Sequence, residues 1–143
     1  MFERILVPTD GSRTAETAMA QALDLAAAHG SAIHVLHVVD AWRYDTSIES
    51  AVDPLRAEGE RFVDRLARTA GDGETEVTTA VEVGRPAQGI LAYADEHGID
   101  LVVIGTRGKG GLPRRLLGSV TDYVVTHAEI PVHVVPARND EDE

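Results

Sequence analysis

Leu101-Val-Val-Ile-Gly-Thr-Arg-Gly-Lys-Gly-Gly111 joins the most apolar short run of the chain to a segment dense in glycine and positive charge. Four consecutive aliphatic residues bounded by turn formers are the pattern of a strand buried on both faces. Such strands belong to parallel sheets, whose helical crossovers cover both sides. The same alternation of short apolar strand and amphipathic helix extends from this run in both directions.

Upstream, Arg4-Ile-Leu-Val7 is a strand stopped by Pro8. Ser12 can cap a helix whose apolar positions Ala15, Ala18, Met19, Ala22, Leu23 and Ala26 follow helical spacing, and Gly30 ends it. Ala32 to Val39 reads as a second strand, followed by a longer loop with Trp42 and Tyr44. A second helix carries Ile48, Ala51, Val52, Leu55, Phe62, Val63 and Leu66 until Gly71-Asp-Gly73 breaks it. Glu76 to Val83 alternates imperfectly, as expected of a half-buried strand near a sheet edge. Pro86 opens a third helix with Ile90, Leu91 and Ala94, which Gly98 closes. Downstream, Ser119-Val-Thr-Asp122 resembles a capping box and starts a fourth helix with Val120, Val124 and Val125. Pro131 then introduces a fifth strand, Val132-His-Val-Val135. Five strands with intervening helices predict one α/β domain, a three-layer αβα sandwich around a five-stranded parallel sheet. Right-handed crossovers restrict it to a few doubly wound orders.

The 143 residues suit a single domain, and a hydrophobic fraction of 43% is ordinary for a globular one. The absence of cysteine removes disulfides, thiolate metal sites and cysteine nucleophiles. With 24 acidic residues against 13 basic, the formal charge of −11 argues against general binding to nucleic acid or anionic membranes. Lys109 is the single lysine, a composition that suits a salt-adapted source. The first apolar run is too short for a signal-peptide core and no stretch has membrane-spanning length, so a soluble cytoplasmic protein is expected. The domain is expected over residues 1–137, with 138–143 as a frayed acidic tail.

In an open doubly wound sheet, ligands sit beyond the carboxyl ends of the strands where strand order reverses. Two such ends are chemically suited: Pro8-Thr9-Asp10-Gly11-Ser12 after the first strand, and Gly105 to Gly111 after the fourth. They converge if the strand order is 3-2-1-4-5. No acidic residue falls between Leu101 and Ser119, whereas Arg107, Lys109, Arg114 and Arg115 do. Glycines let the backbone approach an anion, and the N-terminus of the fourth helix is a natural phosphate seat. Against this stands a plain alternative, in which the glycines make a flexible turn and the bases are solvated. Asp10 likewise either faces a ligand or caps the first helix or a turn. Walker A fails because Gly105 and Gly110 are followed by Gly111-Leu112, and the dinucleotide fingerprint fails at Pro113. His34 and His37 are three apart on a strand, so they point to opposite faces and share no metal.

The spacing Gly105-x2-Gly108-x9-Gly118-Ser119 is a family signature, and on it the chain resembles the universal stress proteins (UspA-like) of the nucleotide-binding kind. The resemblance runs from Ile5 to Val135 and takes in Ile-Leu-Val-Pro-Thr-Asp-Gly-Ser at 5–12, His-Val-Val-Asp at 37–40, Gly-Arg-Pro at 84–86 and Leu-Leu-Gly-Ser-Val-Thr at 116–121. The ending Pro131-Val-His-Val-Val-Pro136 is also typical of the family. It implies strand order 3-2-1-4-5 in the adenine nucleotide alpha hydrolase-like fold. It also implies an ATP site in which Pro8, Thr9 and Asp10 face the nucleotide, with Asp10 near the ribose or a phosphate-bound Mg2+ or Mn2+. Main chain at Val38 would hold adenine, Ile104 and Gly105 would line the ribose, and Gly108 and Gly118 the phosphates. Ser119, Val120 and Thr121 would donate backbone and hydroxyl hydrogen bonds. Arg107 and Lys109 fall at variable positions of the family, and their role rests on charge alone. Family members commonly form homodimers through the last strand, here Val132 to Val135, which would also protect an exposed edge.

Three functions follow from these expectations. The first is a stress-response or signalling module in which adenine-nucleotide occupancy acts as a switch. The second is a slow Mg-dependent ATPase, disfavoured because no arginine finger or general base is set apart for hydrolysis. The third is a nucleotide-independent dimeric interaction module, disfavoured by the retained glycine signature. Other hydrolase and transferase signatures are absent: there is no Ser-Gly-Gly-x-Asp-Ser after the first strand, no His-x-Gly-His and no Gly-x-Ser-x-Gly elbow.

Overall fold

The computed structural model describes residues 2–41, 49–106 and 117–136. Trp42, Tyr44, Arg107, Gly108 and Lys109, together with the tail expected at 138–143, lie outside them. Nine elements alternate along the described chain: β1 (Arg4–Pro8), α1 (Arg13–His29), β2 (Ala32–Asp40), α2 (Glu49–Arg68), β3 (Val77–Gly84), α3 (Pro86–Glu96), β4 (Leu101–Gly105), α4 (Ser119–His127) and β5 (Val132–Val135). The strands form one parallel sheet in the order β3-β2-β1-β4-β5.

Strand alternation sorts the core into two halves. Ile5, Val7, Ile33, Val35, Leu101 and Val103 face α1 and α2, meeting Ala18, Met19 and Ala22 of the first and Val63 and Leu66 of the second. Leu6, Leu36, Val38, Val102 and Ile104 face α3 and α4, meeting Ile90, Tyr93 and Ala94 of the first and Val124 of the second. Ile5, Leu6, Val7, Val102 and Val103 are completely buried, which is why the two central strands read as continuous apolar runs. Each such side chain contributes about 1.5–3 kcal/mol of transfer free energy on burial. The outer strands are less apolar for the same reason: β3 exposes Thr78 and Thr79, and β5 exposes His133.

Helix ends follow local chemistry with two differences from expectation. Ser12 and Gly30 flank α1 as its N-cap and C-cap, but the Ser12 side chain makes no capping bond. The expected capping box at Ser119 does not form either. Gly118 is the N-cap of α4, Ser119 is its first helical residue, and no side chain caps that end. Among the described residues, no helix is long and apolar enough to cross a membrane.

Candidate functional site

Strand order reverses between β1 and β4, which pair in parallel with Ile5 opposite Leu101 and Leu6 opposite Val102. Their carboxyl ends, Pro8 and Gly105, therefore open side by side at the topological switch point. Val38 and Ile104 lie buried on the α3–α4 side of the same end of the sheet.

After β1 the chain makes a compact turn. The Thr9 N–H donates to the Leu36 carbonyl at 2.9 Å, extending the β1–β2 ladder by one step. Within the turn, the Gly11 N–H donates to Thr9 Oγ1 and the Ser12 N–H to Asp10 Oδ1, each at 3.0 Å. The second bond realises the plain reading of Asp10 as a turn former, while its side chain stays exposed at the strand end. Gly11 has φ +86, and a Cβ there would lie 2.6 Å from the Phe62 ring. Only glycine fits both conditions.

The partner half is the start of α4. Its first backbone bond runs from the Asp122 N–H to the Gly118 carbonyl at 2.9 Å. The preceding amides, those of Ser119, Val120 and Thr121, thus precede the helical ladder, at the positive end of the helix dipole. The helix start is tied to the end of β4 and the residue after it: Gly118 N–H donates to the Thr106 carbonyl and Thr121 Oγ1–H to the Gly105 carbonyl, each at 2.6 Å. Thr106 is anchored in turn, its N–H donating to Val135 at 2.9 Å. Thr121 is buried with its hydroxyl proton given to Gly105, so its backbone amide is the donor left to it.

The structure therefore brings Pro8, Thr9, Asp10, Gly105, Gly118, Ser119, Val120 and Thr121 to one end of the two central strands. Of the sequence-derived site residues, Arg107 and Gly108 lie outside the described residues. No group of three or more His, Asp or Glu side chains among the described residues could hold a metal ion by itself. A groove of about 270 Å³ between α2 and β3, lined by Arg56, Glu60, Asp64 and Thr79 among others, lies at the sheet edge and holds none of the expected site residues.

Sequence reasoning placed His34 and His37 on opposite faces, and the structure agrees. His34 Nδ1 meets the Tyr93 hydroxyl at 2.6 Å on the α3 side, whereas His37 packs edge-on against Phe62 of α2. Burial, followed by the His97 and Arg4 charges, holds the His34 pKa below its ordinary value, and burial raises that of Tyr93. Both shifts favour the uncharged forms, a neutral imidazole beside a protonated phenol. What sequence reasoning missed is the support behind the β1 turn. His37 Nδ1 lies 2.8 Å from the Thr9 carbonyl oxygen, and Arg65 Nη2 donates to the Gly11 carbonyl at 3.3 Å. One signal was available, since Gly59 interrupts the helical pattern of α2 and isolated helix glycines often mark a close approach.

An open parallel sheet with a glycine turn and a helix N-terminus at its switch point defines a doubly wound α/β domain. Residues 1–136 match the model of the Universal stress protein family, and the chain belongs to that family. The solved structure of MJ0577 from Methanocaldococcus jannaschii, a universal stress protein, is similar at a TM-score of 0.87 and 31% identity, covering 97% of this chain and 99% of that one. A universal stress protein in complex with cAMP is similar at TM-score 0.70 and 28% identity, over 94% of this chain and 97% of that one. The universal stress protein from Archaeoglobus fulgidus in complex with dAMP gives 0.68 and 25%, over 94% and 98%.

Proposed function

We propose that this protein binds an adenine nucleotide, ATP foremost, at the β1–β4 switch point, and that occupancy of the site acts as a switch in stress response or signalling. The observation that carries the reading is the convergence of the α4 N-terminal amides with the Thr9–Ser12 turn and its exposed Asp10. Amides at a positive helix end suit phosphate oxygens, and the glycine at the N-cap leaves room for them. Two universal stress proteins similar to this chain are described in complex with adenine nucleotides, cAMP and dAMP, which supports the same base here.

In this reading Pro8, Thr9 and Asp10 line one side of the nucleotide and Val38 the adenine. Ile104 and Gly105 line the ribose, and Arg107, Gly108, Gly118, Ser119, Val120 and Thr121 surround the phosphates. A divalent ion fits the donor set only as a companion of the phosphates. Asp10 offers one carboxylate, and Mg2+ characteristically takes one or two carboxylates plus phosphate oxygens and water. The outer edge of β5, Val132 to Val135, is the surface through which we expect two copies to pair. Calorimetry on nucleotide-stripped protein tests the reading: MgATP should bind at about one nucleotide per chain with negligible ADP release. Absence of any binding would overturn it.

A further inference from the structure

Behind the Thr9–Ser12 turn stands a small group of side chains from β2 and α2. A carbonyl oxygen only accepts, so the 2.8 Å contact between His37 Nδ1 and the Thr9 carbonyl requires the proton on Nδ1. Arg65 holds the Gly11 carbonyl from the same side. The Phe62 ring lies between them, edge-on to His37 with 5.2 Å between ring centroids and 5.8 Å from the Arg65 guanidinium carbon. Gly59 makes the arrangement possible, because a Cβ at that point of α2 would come within 2.6 Å of His37 Cδ2. Glycine is disfavoured inside a helix, so its presence here serves the close approach of the imidazole.

Two carbonyls of one short turn are thus drawn toward the α2 side. A trans peptide is planar, with its N–H directed opposite to its C=O. Drawing the Thr9 carbonyl to His37 turns the Asp10 N–H away from α2. Drawing the Gly11 carbonyl to Arg65 does the same for the Ser12 N–H, which the Asp10 carboxylate accepts. Because α1 and α2 cover one face of the sheet and α3 and α4 the other, the carboxylate and these amides are directed toward the side on which α4 begins.

We infer that His37 and Arg65 are positioning residues for the nucleotide site, clamping the Thr9 and Gly11 carbonyls so that the Asp10 N–H and carboxylate face the nucleotide. The inference rests on the nucleotide-binding reading and assigns α2, which the family signature does not touch, a part in it. Neither residue contacts the ligand; each acts through the main chain.

Calorimetric titration of MgATP into wild type, His37→Leu, His37→Asn and Arg65→Gln tests the clamp, with imidazole 15N spectra of the nucleotide-free protein. His37→Leu should weaken ATP binding about tenfold and Arg65→Gln about threefold, the scale of one lost hydrogen bond. Asn places an amide donor where Nδ1 stood, so His37→Asn should recover affinity to within roughly threefold of wild type. The spectra should show the neutral imidazole protonated at Nδ1. Wild-type affinity in folded His37→Leu and Arg65→Gln overturns the clamp while leaving the nucleotide reading intact. A neutral imidazole protonated at Nε2 overturns it without reference to ATP, and so covers the case in which His37→Leu does not fold. Failure of wild type to bind ATP overturns the nucleotide reading, and with it the assignment of these residues to a nucleotide site.

Discussion

The chain leaves its two central strands in different ways. After β1, the turn is held by side chains that arrive from elsewhere in the sequence, with His37 and Arg65 on its carbonyls and Phe62 against Gly11. At the exit of β4, the described ends are joined by contacts close to the backbone: Gly118 N–H to the Thr106 carbonyl and the Thr121 hydroxyl to that of Gly105. The first turn is moulded by the packing of α2. The second is built by a helix end docked on the strand it follows. A ligand bridging the two would join a segment shaped by tertiary contacts to one shaped locally, and the two halves should fail differently when altered.

The largest expected effect is on binding, at the α4 half. Ser119→Asp places a carboxylate among the helix N-terminal amides, where its charge stabilises the helix but repels phosphate. Coulomb repulsion at a few ångströms in a partly screened site should cut ATP affinity about a hundredfold or more, with unfolding stability unchanged or raised. Undiminished ATP affinity would remove the α4 half from the site. The β1 half should instead fail by losing stability. Gly11→Ala meets both an unfavourable positive φ and the Phe62 ring, and should cost about 2–4 kcal/mol in urea unfolding. A cost near zero would mean that α2 does not mould the turn. A smaller effect is expected at Thr121→Val, which keeps shape but removes the donor to the half-buried Gly105 carbonyl. Urea unfolding should report about 1–2 kcal/mol of lost stability, and an unchanged midpoint would deny the Thr121 hydroxyl its part in docking α4.

How much of this was legible in sequence follows the same division. The central strands were readable because burial on both faces leaves nothing but branched aliphatics at Ile5 to Val7 and Leu101 to Ile104. The edge position of β3 was readable from its imperfect alternation, although the strand runs one residue later than expected, Val77–Gly84. The start of α4 was placed correctly for an incomplete reason, since the apparent box at Ser119 and Asp122 forms no side-chain cap and Gly118 is the capping residue. Strand alternation put His34 and His37 on opposite faces, but residue type could not give their hydrogen-bond partners. His34 Nδ1 meets the hydroxyl of a buried Tyr93, which can donate or accept, and His37 Nδ1 donates to the Thr9 carbonyl, which can only accept. Those partners lie 59 and 28 residues away in sequence, beyond the reach of any local pattern.

On the proposed reading, one adenine nucleotide bridges the two turns. Backbone amide spectra recorded while MgATP is titrated into the stripped protein test it most directly. The largest shifts should fall together on Thr9 to Ser12 and Ser119 to Thr121, with the α2–β3 groove residues Glu60, Asp64 and Thr79 unmoved. Shifts centred on that groove, or on one turn without the other, would contradict it.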